Sequence, residues 1–144
     1  MKAVFLIFLL IPFCGASQVS IQKMSNTIVL SVDDPVLGLK KVAKKMIKQG
    51  YDIEKDFDLG YIKGVLTEEA KGWKMARQLK IQVLEENGLI YLSGDFSLFP
   101  TRLGDFDQFD EIIWKGGKKG AWKIAFRKME ELIEGIGEIK YLIQ

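Results

Sequence analysis

The carboxylates best able to do chemistry lie in one short stretch: Asp105, Asp107, Asp110 and Glu111. Oxygen ligands at alternating positions could hold calcium, and two carboxylates could flank a glycosidic bond. The stretch lacks the ligand spacing and the terminal Glu of the EF-hand calcium loop. Carboxylates this close together are common in loops, so the sequence favours a solvated acidic loop and predicts no metal and no cofactor. A hydrolase that uses these carboxylates alone remains an alternative.

Four aromatic residues lie in or beside the same stretch: Phe99, Phe106, Phe109 and Trp114. Pro100 and Gly104 break any helix or strand period there, which predicts a long irregular connection. Such connections are often binding segments in compact domains, and aromatic side chains are common anchors of protein interfaces. Two interpretations stay open: the four rings bind a partner, or they fold back and cap the open end of the core.

The chain has no histidine, and its single cysteine is Cys14. Histidine is the commonest general base and the commonest metal ligand. Ser–His–Asp and Cys–His nucleophiles and histidine-containing zinc sites are therefore excluded. We predict no catalytic residue in this chain.

The charge balance argues against nucleic acid as a partner. The chain has 21 Lys and Arg and 19 Asp and Glu, a formal net charge of +2, whereas nucleic-acid binders are usually strongly basic. Five lysines line one face of a predicted helix: Lys40, Lys41, Lys44, Lys45 and Lys48. No aromatic residue is interleaved with them, so we interpret them as a solvated face, with a basic patch for an anionic partner as the alternative.

Residues 1–17 have the pattern of an export signal peptide. Lys2 supplies the positive start, residues 3–13 are an unbroken apolar run, and residues 15–17 are small. An apolar helix of this length rises about 16 Å, roughly half the hydrocarbon thickness of a bilayer. We therefore predict cleavage after Ser17 or Ala16, no transmembrane segment in the mature chain, and a single domain, residues 18–144, that is periplasmic or secreted.

Cys14 raises the question of a lipid anchor. A bacterial lipoprotein signal has a small residue directly before its cysteine, whereas this chain has the bulky Phe13 there. We therefore predict that Cys14 is not lipidated and leaves with the signal peptide. The mature domain then has no disulfide, and its fold depends on a hydrophobic core.

Hydrophobic periodicity predicts two amphipathic helices. The first begins after Asp34, which can cap it, and ends at Gly50, whereas the second runs from about Lys119 to Glu134. Apolar spacing predicts the core face of the first helix: Val36, Leu39, Val42, Ala43, Met46 and Ile47.

Alternating and β-branched segments predict the strands. We expect strands at residues 27–32, 51–55, 61–67, 79–83, 89–98, 110–114 and 138–143. Asn87-Gly88 is typical of a two-residue hairpin turn, and we expect Gly94 to mark a β-bulge. Residues 19–26 are expected to be a frayed lead-in.

The order and the short connections of these elements predict the fold class. Short connections favour an antiparallel sheet, and two amphipathic helices need one common apolar surface. We predict an α+β fold of two layers, with a mainly antiparallel sheet and both helices packed on one face, in the order β-α-β-β-β-β-(β)-α-β.

Between Val36 and Val65 the predicted helix ends in Gly50-Tyr51-Asp52-Ile53, and Asp58, Gly60 and Ile62 follow. This pattern resembles the repeated small domains of a lipoprotein subunit of the outer-membrane β-barrel assembly machine. It is also similar to small exported proteins of Bacteroidetes-type bacteria, whose folds are of the TATA-binding-protein-like or helix-grip type. The resemblance implies a non-catalytic interaction module of the cell envelope and carries over no catalytic residue.

The leading hypothesis is an exported binding or assembly module of the bacterial cell envelope, with another protein or an envelope component as its partner. It would act through the Phe99–Trp114 segment or through an exposed sheet edge. The alternative is a proteinaceous inhibitor that presents the same segment to the cleft of an exported enzyme.

Overall fold

The computed structural model describes Ile21 and residues 24–70, 75–100, 108–116 and 120–144, of which residues 70, 75, 99 and 100 are described by their backbone alone. Over these residues the chain forms seven strands and two helices. The strands are β1 (Thr27–Ser31), β2 (Asp52–Asp56), β3 (Tyr61–Ala70), β4 (Met75–Glu86), β5 (Leu89–Pro100), β6 (Asp110–Glu111) and β7 (Glu138–Leu142). The helices are α1 (Pro35–Lys48) and α2 (Ala121–Ile133).

The predicted α+β two-layer architecture is confirmed. All the strands join one antiparallel sheet in the order β2-β3-β4-β5-β1-β7, and β6 pairs with β5 beyond the end of β1. Both helices pack on the same face of this sheet, because the strand residues that alternate toward that face are the buried apolar ones. The sheet contributes Ile28, Leu30, Ile62, Leu79, Ile81, Val83, Ile90 and Leu92 to the core.

The long hairpin of β4 and β5 forms the centre of the sheet. Its strands stay in register from Met75 opposite Pro100 to Glu86 opposite Leu89. Asn87 and Gly88 form the turn with φ of 53° and 79°, the left-handed pair that matches strand twist. The predicted hairpin turn is therefore confirmed, and both strands are longer than their apolar alternation indicated.

Gly94 does not form the expected β-bulge. Ile81 pairs with Gly94 in the same unbroken register as the rest of the hairpin. A Cβ at Gly94 would lie 2.5 Å from the carbonyl oxygen of Lys80 and 3.2 Å from Cδ1 of Ile112. The glycine is required by close packing of the backbone against the chain beside it.

Helix α1 begins and ends where the sequence predicts. Asp34 Oδ1 accepts a hydrogen bond from the Leu37 amide at 2.9 Å, and Gly50 follows the helix with φ of 89°. The predicted core face is wrong at two positions, since Val36 is 46% exposed and Ile47 is 55% exposed. Both residues lie at the margin of the apolar stripe, outside the arc that the sheet covers.

Helix α2 begins at Ala121 after Gly120, slightly later than predicted, and Gly135 follows its end with φ of 72°. Its buried face consists of Ala125, Phe126, Met129, Leu132 and Ile133. None of the described helices is both long enough and apolar enough to cross a membrane.

Residues 24–26, directly before β1, are ordered, whereas the sequence predicted a frayed lead-in over residues 19–26. The Met24 amide donates to the Trp114 carbonyl at 2.7 Å, and the Trp114 amide donates to the Ser25 carbonyl at 2.7 Å. Ser25 and Asn26 are both buried. This pairing also explains why the pairing of β6 with β5 does not continue to Trp114, because the chain beyond Ile112 leaves β5 and pairs with residues 24–25.

Two ion pairs that share one carboxylate connect α2 to strands β3 and β4. Arg77, which is buried, donates to Glu68 Oε1 from Nε at 3.0 Å and from Nη2 at 2.7 Å. Lys128 of α2 reaches the other oxygen of Glu68 at 3.4 Å. Glu68 therefore joins β4 to the helix layer, and its two cations satisfy a carboxylate that would be costly to bury alone.

Candidate binding surface

The two predicted binding residues whose rings the structure describes, Phe109 and Trp114, do not lie together. Phe106 lies outside the described residues, and Phe99, in β5 opposite Ala76, has no described side chain. The Phe109 ring lies 3.5 Å from Nζ of Lys80, a residue whose position in β4 turns it away from the helices. Trp114 instead packs on the core residue Phe126, with ring centres 5.5 Å apart. Two of the predicted rings thus lie on opposite sides of the sheet.

The backbone around Trp114 is held on both sides. Its amide and carbonyl bond to Ser25 and Met24, and two residues earlier the Ile112 amide donates to the Gly94 carbonyl at 2.8 Å. Ile112 itself is fully buried. The buried isoleucine and the paired backbone therefore fix where the indole ring leaves the chain, so the ring does not need to be ordered by a partner.

Aromatic side chains continue from Trp114 along the flank of α2. The rings of Phe96 and Trp122 meet edge to face with centres 5.2 Å apart, and Phe126 contacts Tyr141 at 6.0 Å. These separations are typical of favourable aromatic pairs. Phe126 is fully buried, whereas Trp114 and Trp122 are only half-buried and border on solvent.

Three cations lie over the two tryptophans. Nζ of Lys115 is 3.4 Å from the centre of the Trp122 ring. The Arg127 guanidinium carbon is 5.0 Å, and Lys123 Nζ is 5.9 Å, from the centre of the Trp114 ring. All three distances allow cation–π attraction. We call these five residues, Trp114, Trp122, Lys115, Lys123 and Arg127, the aromatic–cationic surface.

The charges of α2 are arranged against its own dipole. Lys123, Arg127 and Lys128 lie within the first eight residues, whereas Glu130, Glu131 and Glu134 lie at the end of the helix. A helix is stabilised by acidic residues in its first turn and basic residues in its last, and α2 has neither. The helix dipole therefore does not account for the basic residues beside the tryptophans, of which Arg127 also pairs with Glu130 one turn further on.

The structure places the two predicted carboxylates that it describes, Asp110 and Glu111, on opposite faces of the sheet. Asp105 and Asp107 lie outside the described residues, Asp110 pairs with Phe96, and Glu111 pairs with Asp95 on the opposite face of the sheet. Burial raises the pKa of the Asp95 carboxyl above its ordinary value, Glu111 raises it further, and Lys80 opposes both effects. Glu111 also accepts a hydrogen bond from Asn26 Nδ2 at 2.8 Å.

Asp95 is therefore a candidate residue that sequence reasoning missed. The sequence indicates only that Asp95 lies on the face of β5 that points away from the core, together with Tyr91, Ser93 and Ser97. Its proximity to Glu111 depends on the register of β6, which no local pattern gives.

The sequence predicted a solvated face of five lysines on α1, and this prediction is wrong for one of them. Lys45 Nζ donates to the carbonyl oxygens of Glu131, at 3.3 Å, and Glu134. Lys40, Lys41, Lys44 and Lys48 are exposed. Lys45 therefore serves as a cap for the end of α2, and the solvated face has four lysines, not five.

A cleft of about 420 Å³ opens where the β1–α1 and α2–β7 connections meet. Its charged lining consists of Asp33, Asp34, Glu138 and Lys41. Asp34 already caps α1, and the remaining groups offer a polar recess without a nucleophile activated by a neighbouring base.

The described side chains contain no group of three or more metal-ligating residues placed to hold an ion. Cations also lie over single rings elsewhere in the described chain, at Phe57, Tyr61 and Phe109, whereas the aromatic–cationic surface brings two tryptophans and three cations together. In comparisons with known proteins, no family model matches the chain, and no curated protein matches its sequence.

Proposed function

We propose that this chain is an exported, non-catalytic binding or assembly module of the bacterial cell envelope that engages its partner through the aromatic–cationic surface. The observation that carries the proposal is the set of three cations held on two half-buried tryptophans. Trp114 also ends the segment in which the sequence predicted partner binding. Because the backbone and ring contacts order this surface in advance, little entropy would be lost on binding.

The partner is another protein or an envelope component that presents acidic groups. Trp and Arg are enriched at the energetic centres of protein interfaces, and cations at an interface steer and orient an acidic partner. A net charge of +2 is small for a nucleic-acid binder, so we do not propose nucleic acid.

The export pattern of residues 1–17 supports an envelope location, and Phe13 supports release of the chain in preference to a lipid anchor on Cys14. The resemblance to non-catalytic domains of an assembly-machine lipoprotein supports the same location. N-terminal sequencing of the chain recovered from the periplasm or medium should begin at Ser17 or Gln18. A chain that stays in the cytoplasm and keeps Met1 would contradict export.

Retention of envelope components by the immobilised chain tests the binding surface. We expect residues 18–144 to retain a component that the variant Lys115→Ala/Lys123→Ala/Arg127→Ala releases. The matched control, Lys40→Ala/Lys44→Ala/Lys48→Ala on α1, removes the same charge and should retain that component. Equal retention by both triple variants would refute the proposed surface. If the retained component is an enzyme whose activity falls, the inhibitor hypothesis is supported.

The paired carboxylates of Asp95 and Glu111 favour a second candidate, the carboxylate-only hydrolase. Directly opposite residues in an antiparallel pair hold their side chains close enough to share a substrate bond. Assays on a panel of glycans decide between the two functions. Hydrolysis that both Asp95→Asn and Glu111→Gln abolish would make the chain an enzyme.

A further inference from the structure

The outer edge of β7 has unpaired backbone groups within the described chain. β7 pairs with β1 alone, and the Leu142 carbonyl accepts from the Asn26 amide on that side at 3.0 Å. Backbone polar groups alternate from side to side along a strand. The amides and carbonyls of Ile139 and Tyr141 therefore point away from the sheet.

This edge is less protected than the opposite one. At the other end of the sheet, β2 has four charged residues among its five, which discourages pairing with another strand. β7 has two charged residues, Glu138 and Lys140, and ends in apolar residues, with Leu142 41% exposed and Ile143 58% exposed.

A groove of about 260 Å³ runs beside this edge, between β7 and α2. Ile139 and Tyr141 line its strand side, and Arg127, Glu130, Glu131 and Glu134 line its helix side. Glu130 is already satisfied, because it accepts from the Tyr141 hydroxyl at 2.6 Å and pairs with Arg127. Lys45 reaches only the main-chain carbonyls of Glu131 and Glu134. Within the described chain, those two carboxylates have no cation partner.

We infer that β7 and this groove bind an extended basic segment of another protein, which adds a strand to the sheet. Its backbone would bond to Ile139 and Tyr141, as in other cases of strand addition. Side chains directly opposite these two residues would share their face of the sheet and enter the groove. A Lys or Arg there would place its stem on Ile139 and Tyr141 and its charge beside Glu131 and Glu134.

Charge complementarity distinguishes this occupant from a second copy of the chain. Two β7 edges paired about a two-fold axis would bring the two α2 helices side by side. The acidic ends of both helices would then face each other across the new junction, which like charges oppose. A basic segment removes that repulsion. This site and the aromatic–cationic surface have only Arg127 in common. Binding at one of them can therefore be absent while binding at the other is present.

An acetylated and amidated peptide of the sequence Thr-Val-Lys-Val-Lys-Val-Thr tests the site. With this peptide bound to residues 18–144, we expect slower hydrogen exchange at the amides of Ile139 and Tyr141. Glu131→Lys/Glu134→Lys should weaken binding about tenfold, whereas the control Glu69→Lys/Glu86→Lys should not weaken it. Lys115→Ala, which alters the aromatic–cationic surface and lies outside the groove lining, should not weaken it either.

Three results would overturn the inference. The first is unchanged exchange at both amides when the peptide is saturating. The second is equal binding of a peptide with Glu in place of Lys. The third is protection of the same amides that rises with protein concentration without peptide, which would assign the edge to a second copy. A circular dichroism spectrum like that of the unchanged protein, recorded for each variant, excludes unfolding as the cause of weaker binding.

Discussion

Asn26 joins three parts of the chain that are far apart in the sequence. Its Nδ2 donates to Glu111 Oε1 at 2.8 Å and to the Gln144 carbonyl at 3.0 Å. Its Oδ1 accepts from the Gln144 amide at 2.9 Å. The residue is buried, so these bonds are made where water cannot easily replace them.

Asn26→Ala should therefore lower the free energy of unfolding by about 2–3 kcal/mol, because several buried hydrogen bonds are lost together. Urea denaturation of both proteins measures the difference. Gln82→Ala on the exposed face of β4 is the control and should change stability by less than about 0.5 kcal/mol. Similar losses in the two variants would show that Asn26 is not a structural clamp.

Asp95 is expected to destabilise the fold at neutral pH. Its folded-state pKa is raised, first by burial and then by Glu111, so the folded protein binds the proton more tightly than the unfolded chain does. The stability that this proton contributes is present below the unfolded pKa of about 3.9 and is lost as pH rises through the folded pKa. The change of stability with pH that Asp95 causes is thus opposite in sign to that of a salt-bridged aspartate.

Asp95→Asn should accordingly raise stability at pH 7 by about 0.5 kcal/mol, a modest value because the group is partly solvated. The gain should disappear near pH 3, where the native carboxyl is protonated. Thermal unfolding at the two pH values, with Glu86→Gln as an exposed control, measures both effects. A loss of stability at pH 7 would mean that attraction to Lys80 outweighs burial and Glu111.

At the scale of elements, α2 depends on α1 for its C-terminal cap. The last turn of α2 has no basic residue of its own, and Lys45 supplies a cation to the carbonyls of Glu131 and Glu134. Periodicity correctly predicted both helices, but it assigned Lys45 to solvent because it describes one helix at a time. The position of a neighbouring helix end is tertiary information.

Lys45→Met should lower the free energy of unfolding by about 1 kcal/mol, since α2 loses hydrogen bonds and a charge that opposes its dipole. Lys44→Met removes the same charge from the exposed face of the same helix and should have little effect. Chemical denaturation of the pair isolates the cap. If both variants lose the same stability, the effect belongs to α1 and not to the end of α2.

At the scale of the whole molecule, local patterns predicted the element order and the two-layer fold because each element carries its own periodicity and stop signals. They did not predict that Phe109 and Trp114 would lie on opposite sides of the sheet, or that Asp95 would oppose Glu111. Both facts depend on the register of β6, which has only two residues. The sequence did not place Trp122 and Arg127 in the candidate surface either, because only tertiary packing brings α2 beside Trp114.

The core is one connected cluster that includes both helices and the central strands, so no part of it can be lost without exposing the rest. We therefore expect residues 18–144 to unfold in a single cooperative transition in urea. Tryptophan fluorescence, to which Trp114 and Trp122 on the flank of α2 contribute together with Trp73, and far-UV circular dichroism should give the same midpoint. Because residues 18–144 contain no cysteine, reductant should leave that midpoint unchanged. Two separate transitions would show that the α2 flank and the β3–β5 sheet fold independently, and the aromatic–cationic surface would then lose the rigid support on which its proposed role depends.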